Sequence, residues 1–321
     1  MTSPRDGDSP RSPIGGHEFD GAASGSTRRV PSWCSLGRRP RVAVMGPPDR
    51  EDVIQEWRRL RATVVQDSEI IVEDFRFEHD YQADPVDASP DLVIVLGGDG
   101  SILQCARQLG CRQCPVLGIN CGRLGFLAAL SPDDFLDAWP KLCTGEFSIV
   151  EHVMLFIELI RDHEVVASQF ALNDAAVMAG RPFRILDIDL FADGEWATRY
   201  RCDGLIVATP VGSTAHNLSA GGPILRRNLP AVVISPISPH TLTVRPLVDS
   251  ADTVFELTVT EPYESTSIVV DGRVLGDLIE GDRVRIQRAD FAFEMVSVPG
   301  QNDYRTLRDK LGWSGSFRLR S

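Results

Sequence analysis

The hydrophobic period of this 321-residue chain changes near residue 148, and that change narrows the fold more than any other feature. Between residues 41 and 148, short apolar runs alternate with stretches of helical spacing. Arg41-Val-Ala-Val-Met45 reads as a strand that ends at Gly46-Pro-Pro48. Residues 50–66 then carry Val53, Ile54, Trp57, Leu60 and Val64 at a period near 3.6, which predicts a helix. Residues 69–75 predict a second strand. Residues 91–96 form a continuous apolar run bounded by glycines, as in a strand buried on both faces. Ile102, Leu103, Ala106 and Leu109 share one face of a helix over 101–109, and 116–119 and 132–142 predict a further strand and helix. The acids 133, 134 and 137 suit the start of that last helix, where the dipole favours negative charge. Strands alternating with helices imply a parallel sheet with crossover helices.

Beyond residue 148 the period is two. Strands are expected over 154–161, 165–172, 185–191, 254–259, 267–270, 284–287 and 293–298, with hairpin turns at Asp193-Gly194 and Asp271-Gly272. Leu307 and Leu311 predict a short final helix over 304–313. The expected fold is an α/β N-terminal domain with a parallel sheet (41–148) plus a β-rich C-terminal domain (149–302). The segment 303–321 is expected to rejoin the first domain.

Residues 1–40 have a different texture, rich in Ser, Pro, Gly and Arg with almost no apolar periodicity. Such a segment buries too little apolar surface to offset its ordering entropy, so a disordered arm is expected. It holds six arginines and four acids, a local charge of +2, so the rest carries −14 of the net −12. That acidity argues against a nucleic-acid surface. It leaves anionic small molecules open, because backbone dipoles and a metal ion outweigh net charge locally. No apolar run approaches the roughly 20 residues that span a bilayer, so no membrane partner is expected. Seven cysteines argue against a secreted disulfide framework and for a reducing cytoplasm. The Cys111-x-x-Cys114 pair, with Cys105 and Cys121 nearby, reads either as a zinc or redox site or as small buried hydrophobes.

Two glycine-rich segments carry the chemistry. Gly97-Gly98-Asp99-Gly100-Ser101 lies between a predicted strand and a predicted helix, where backbone N–H groups can approach a phosphate closely. Asp99 sets this loop apart from the Walker and dinucleotide fingerprints. A carboxylate beside phosphate is repelled unless it meets a metal or takes a proton from a nucleophile. The alternative is a plain strand-to-helix turn with Asp99 as N-cap. The second segment runs from Cys202 to Pro223, an apolar strand entering a loop dense in glycine and hydroxyls, as close packing around a nucleotide would require.

These blocks occur in one order: Gly97–Ser101, Gly118-Ile-Asn120 with Leu124-Gly-Phe126, Leu172-Asn-Asp174, Asp203 to Thr214 with Ser219-Ala-Gly-Gly-Pro223, Ser238-Pro-His240 with Arg245-Pro-Leu247, and Asp271-Gly272. Together they resemble the NAD kinase family over about residues 41–315. The Gly-Gly-Asp-Gly loop alone is shared with diacylglycerol, sphingosine and 6-phosphofructokinases, whereas the Thr209–Pro223 block is far more specific.

The resemblance implies transfer of a phosphoryl group from ATP, or polyphosphate, to the 2′-hydroxyl of the adenosine ribose of NAD. It implies Mg2+ or another divalent cation with ATP, without a dedicated protein metal site. Asp99 matches the family's catalytic aspartate, and Gly97, Gly98, Gly100 and Ser101 its phosphate loop. Asn173 and Asp174 match the pair that holds the ribose of NAD. Arg184, Arg201 and Asp203 fall at positions lining the dinucleotide, and Arg201 also reads as a surface strand arginine. Thr214, Ala215, His216, Asn217, Leu218 and Ser219 match the block contacting the adenine and nicotinamide halves, and Gln104 and Arg273 match further contact positions. Position 174 is Asp where the family more often has Glu, position 216 is His where Tyr is usual, and position 211 is Val where Thr is frequent. A homo-oligomer, dimer or tetramer, is also implied. The competing readings are a diacylglycerol-type lipid kinase and a non-catalytic dinucleotide-binding regulator.

Overall fold

The computed structural model describes residues 38–79, 81, 89–122, 125–128, 130–181, 184–299 and 303–312. The expected arm over 1–40 therefore lies almost wholly outside the described residues, as does Leu124.

The first half is doubly wound. Its elements are β1 (Arg41–Met45), α1 (Glu51–Asp67), β2 (Glu69–Asp74), β3 (Leu92–Gly97), α2 (Asp99–Leu109), β4 (Val116–Asn120) and α3 (Pro132–Cys143). The strands lie in the order β2-β1-β3-β4, all parallel. β3 is buried at every position because helices cover both faces of the sheet. Val42, Val44, Ile94 and Leu96 pack on one face against Trp57 and Leu60 of α1 and Phe135 and Trp139 of α3. Ala43, Met45, Val93 and Val95 pack on the other against Ile102, Cys105, Ala106 and Leu109 of α2. α3 opens with a capping box in which the Ser131 hydroxyl accepts from the Asp134 N–H and the Asp134 carboxylate accepts from the Ser131 N–H.

The second half is a sandwich. It contains β5 (Ser148–Arg161), β6 (Glu164–Ala171), β7 (Asp174–Met178), β8 (Leu186–Ala192), β9 (Glu195–Cys202), β10 (Gly204–Ala208), a 3-10 turn (Gly212–Thr214), α4 (His216–Ser219), β11 (Ala231–Ile237), β12 (Leu247–Ser250), β13 (Phe255–Val259), β14 (Ser267–Val270), β15 (Arg273–Asp277), β16 (Arg283–Ser297) and the final helix α5 (Asp303–Leu311). Among the described residues, one sheet has six strands in the order β12-β11-β10-β7-β14-β15. Its inner face, including Val177, Leu205, Val207, Ile234 and Ile268, meets Leu155, Ile157, Ile188, Phe255, Leu257 and Ile286 of the other.

The other sheet is continuous with the parallel sheet of the first half. β16 runs beside β5 for most of its length, and its end at Met295 meets Val116 of β4. The two strands expected over 284–287 and 293–298 are therefore one strand. A bulge between Arg288 and Ala292 interrupts the alternation and makes the single strand look like two.

Candidate functional site

β3 ends at Gly97 with φ +136, and a side chain there would run into Ser101 and Pro47. Gly98 takes the N-cap position in extended geometry, and α2 begins at Asp99. The alternative of Asp99 as N-cap does not hold, because Gly98 occupies that position and Asp99 is already the first residue of the helix. Instead it reaches across to a neighbouring loop. Its Oδ2 accepts from the Phe126 N–H at 2.7 Å, and its Oδ1 accepts from Leu127 at 2.9 Å and Ala128 at 3.1 Å. Gly125 is small for the same reason, since a Cβ there would overlap the Asp99 carboxylate. A carboxylate oxygen has two acceptor directions, so among the described residues Oδ2 keeps one unspent. Space is open around Gly98 and Gly100, and the first N–H groups of a helix have no partner within it. From the final helix, Lys310 Nζ lies 4.5 Å over the Phe126 ring, so α5 packs onto the loop that holds Asp99.

Asn173 and Asp174 stand at the start of β7, gripped from two sides. On one side the Thr209 N–H donates to the Asn173 carbonyl at 2.8 Å, and the Thr209 hydroxyl donates to the Leu172 carbonyl at 2.6 Å. Gly212 follows so closely that a Cβ would overlap the Asn173 backbone. On the other side Asp271 accepts the N–H groups of Leu172, Asn173 and Asp174 at 2.9, 2.8 and 3.0 Å. Asp174 is buried. Burial first, and then the charge of Asp271, pushes its carboxyl up to about 7. Burial also raises Asp271, against the pull of its three backbone donors and of Arg107.

The two halves of the site are joined. Arg273, two residues past Asp271, donates to Gln104 Oε1 of α2 at 2.7 Å, and Arg107 donates to the same oxygen at 2.7 Å. Burial and then the charge of Arg273 lower the pKa of Arg107. Beneath them an apolar cluster includes Ile102 of α2 together with Leu172, Val211 and Phe293. The structure thus links Gln104 of the helix that follows the Gly97–Ser101 loop to Arg273, and through the same turn to Asn173 and Asp174, where the two halves meet.

The remaining residues are placed differently. Thr214 donates its hydroxyl to the Val211 carbonyl, and Ala215 leads into α4 with Leu218 and Ser219. His216 is exposed, and desolvation by the neighbouring chain lowers its pKa, favouring the neutral ring. Asn217 is fully buried. Its amide donates to the Ser213 and Pro223 carbonyls and accepts from the Ser235 hydroxyl, which clamps the loop shut. Arg184 sits over the Tyr263 ring, Arg201 pairs with Asp187, and Asp203 faces His240. Asp203 precedes Gly204, which is opposite Met178, whereas Asp174 is opposite Ala208 at the other end of the β7–β10 pair. Four residues of strand put these groups roughly 13 Å or more apart. Among the cysteines, Cys105 and Cys114 are buried with burial pushing their thiols up, and Cys111 is exposed.

Sequence reasoning missed Asp271 as a site residue, along with Arg107 and the role of Gly125. Asp271 read as half of a turn dipeptide, and nothing local signals a carboxylate whose partners lie 97 to 99 residues earlier.

Comparison with known proteins covers both halves of the chain. Residues 48–147 match the family model for the ATP-NAD kinase N-terminal domain, and residues 172–298 match that for the C-terminal domain. The chain is 68% identical over 298 residues to an NAD kinase of Rhodopirellula baltica, covering 93% of this chain and 94% of that one. It is 42% identical over 226 residues to an NAD kinase of Cellvibrio japonicus, covering 70% and 75%. Among solved structures it is similar to yeast NADH kinase complexed with NADH, with TM-score 0.73, 26% identity and coverage of 88% and 90%. It is also similar to an NAD kinase from Archaeoglobus fulgidus in complex with ATP, with TM-score 0.62, 27% identity and coverage of 85% and 97%. A lipid-kinase reading accounts for the glycine loop alone, whereas these matches span both halves of the molecule, and the chain belongs to the ATP-NAD kinase family.

Proposed function

We propose that this chain is an NAD kinase, transferring the γ-phosphoryl of ATP, or a phosphoryl of polyphosphate, to the 2′-hydroxyl of the adenosine ribose of NAD to give NADP. The observation that carries the reading is the Asp99 carboxylate, immobilised by three backbone N–H groups at an open glycine-lined helix start with one acceptor direction on Oδ2 left over. In this reading Asp99 is the general base. The 2′-oxygen bonds to the γ-phosphorus, the bond from that phosphorus to the β,γ-bridging oxygen breaks, ADP leaves with the electron pair, and the hydroxyl proton passes to Asp99. Positioning and charge neutralisation carry most of such a transfer. Gly97, Gly98, Gly100 and Ser101 hold phosphate through the loop backbone, and Asn173 and Asp174 hold the ribose. Gln104 and Arg273 border the phosphates, and the Thr214–Ser219 turn, clamped by Asn217, borders the bases.

Mg2+ entering with ATP neutralises phosphate charge. Among the described residues no three His, Cys, Asp or Glu side chains converge as a cage. An ion held by phosphate oxygens and water needs none. Arg184, Arg201 and Asp203 line the dinucleotide, and the chain assembles as a homo-oligomer. Exposed Val165, Val166 and Trp196 on the β5–β6 and β8–β9 hairpins support association. No helix among the described residues is long and apolar enough to cross a membrane, and we place the enzyme in the cytoplasm. The test is NADP formation from NAD or NADH with ATP or polyphosphate, with and without Mg2+. Absence of NADP under all of these conditions would overturn the reading, and light scattering of the purified chain tests the oligomer.

A further inference from the structure

We infer that Asp271 is a positioning residue for the acceptor nucleotide. Its carboxylate fixes the Leu172-Asn173-Asp174 backbone, and its turn ties that segment to the helix that starts at Asp99. The inference deepens the NAD kinase reading and rests on it.

The geometry has three parts. First, three consecutive N–H groups, those of residues 172, 173 and 174, converge on one carboxylate at 2.8 to 3.0 Å, and the Asp271 N–H donates back to the Asp174 carbonyl at 2.9 Å. Bonds to a charged acceptor are stronger than neutral ones, and three of them, with the one backbone bond, orient successive peptide planes. Second, Asp271 has φ +45, a left-handed conformation that Asp adopts readily at an Asp-Gly hairpin turn, so the turn itself presents this carboxylate without strain. Third, Arg273 from the same turn reaches Gln104 on α2 at 2.7 Å. One turn therefore touches both the segment proposed to hold the ribose and the helix that carries the proposed base. Catalysis by positioning is sensitive to shifts of about 1 Å between such parts.

Asp271 also sets the charge state around it. The charged group facing the Asp174–Asp271 pair is Arg107 on α2, which shares Gln104 with Arg273 of β15. Asp271 repels charge on Asp174, and Arg107 favours charge on Asp271.

The test is Asp271→Asn in the full-length chain, assayed for kcat, KM for NAD and KM for ATP across pH 5 to 9, alongside a melting curve. Asparagine keeps the size of the side chain, loses the charge and places an N–H₂ where an acceptor is needed. The expected result is a rise in KM for NAD of about tenfold or more, with KM for ATP within about twofold. The acid limb of kcat/KM for NAD should shift to lower pH, because Asp174 no longer titrates against a neighbouring anion. A merely structural residue would lower activity and melting temperature without moving that limb. A folded variant with wild-type KM for NAD and an unmoved limb would overturn the inference. If the variant does not fold, calorimetry of NAD binding to the wild-type enzyme decides, using buffers of different protonation enthalpy between pH 6 and 8. Proton exchange upholds the coupled pair, and its absence overturns it. Failure of the wild-type enzyme to make NADP would sink the functional reading, whereas an active wild type with an unaltered variant would sink only this inference.

Discussion

Two aspartates in this molecule are held by the same device. Asp99 accepts the N–H groups of residues 126 to 128, and Asp271 those of residues 172 to 174. Each lies beside a glycine turn, and each draws its donors from a distant stretch of chain. The difference is what surrounds them. Asp99 stands partly exposed beside Gly98 and Gly100, with open space in front and an acceptor direction to spare. Asp271 faces a second, buried carboxylate, Asp174, and burial raises both. A three-amide cradle thus fixes where a carboxylate sits, and its surroundings decide whether it acts on a ligand or on the protein.

Removing the proton acceptor from the first cradle should have the largest effect. Asp99→Asn should lower kcat by about 10²- to 10⁴-fold while NAD still binds, as seen by rapid kinetics and calorimetry. Unchanged turnover would reject Asp99 as the base. Next comes the cradle without the loss of its aspartate. Gly125→Ala should displace the Asp99 carboxylate and cost about 10²-fold in kcat, with NAD affinity largely kept. Wild-type turnover would show that the cradle is not needed for placement.

The third effect sharpens the contrast in charge. Asp174 has its folded pKa raised to about 7. A raised carboxyl contributes stability that is fully present below its unfolded value near 4 and is lost as pH rises through about 7. Asp174→Asn removes this loss. The variant should therefore melt progressively higher than wild type as pH rises from about 4 to 7, with a constant gap above. Its KM for NAD should rise as the ribose contact is lost. A gap that does not change with pH would show that Asp174 and Asp271 do not share charge. The smallest effect is expected at the far end of β7. The Arg201–Asp187 pair is exposed, so Arg201→Ala should change stability by no more than about 1 kcal/mol. It should raise KM for NAD a few-fold if the dinucleotide reaches that end. An unaltered KM would remove Arg201 from the site.

The repeating units of the fold were legible because burial writes itself into short runs. The run 91–96 is apolar throughout since helices cover both faces of β3, and Trp57, Leu60 and Val64 keep the spacing of one helix face. The bulge at Arg288–Ala292 hid one long strand as two, since residues 289–291 stand opposite the single residue Met154 of β5 and break the alternation. In the candidate site, Gly97–Ser101 stood out by residue type and position, and Asn173-Asp174 only through the family resemblance. Asp271 was legible as a turn and as the last block of the family resemblance, but its role was not, because its chemistry lies in a contact about 98 residues away that no local pattern records. Asn217 read as part of a nucleotide-contacting block, and the bonds of its buried amide to Ser213, Pro223 and Ser235 were not legible, because they depend on how the loop folds back on itself.

The long strand β16 also governs the order in which the molecule is assembled. β5 pairs at once with β6 on one edge, but Ser148 pairs with Ser297 and Ile160 with Arg283, so its other edge finds its partner only after more than a hundred further residues have been made. The edge of β4 in the first half waits for Met295 of the same strand. On the ribosome, neither half completes its sheet until almost the entire chain has emerged. Pairing this distant is slow, and it leaves two strand edges unprotected in the interval. A chain interrupted before residue 283 therefore exposes open edges in both halves at once, with the proposed catalytic loop already synthesised.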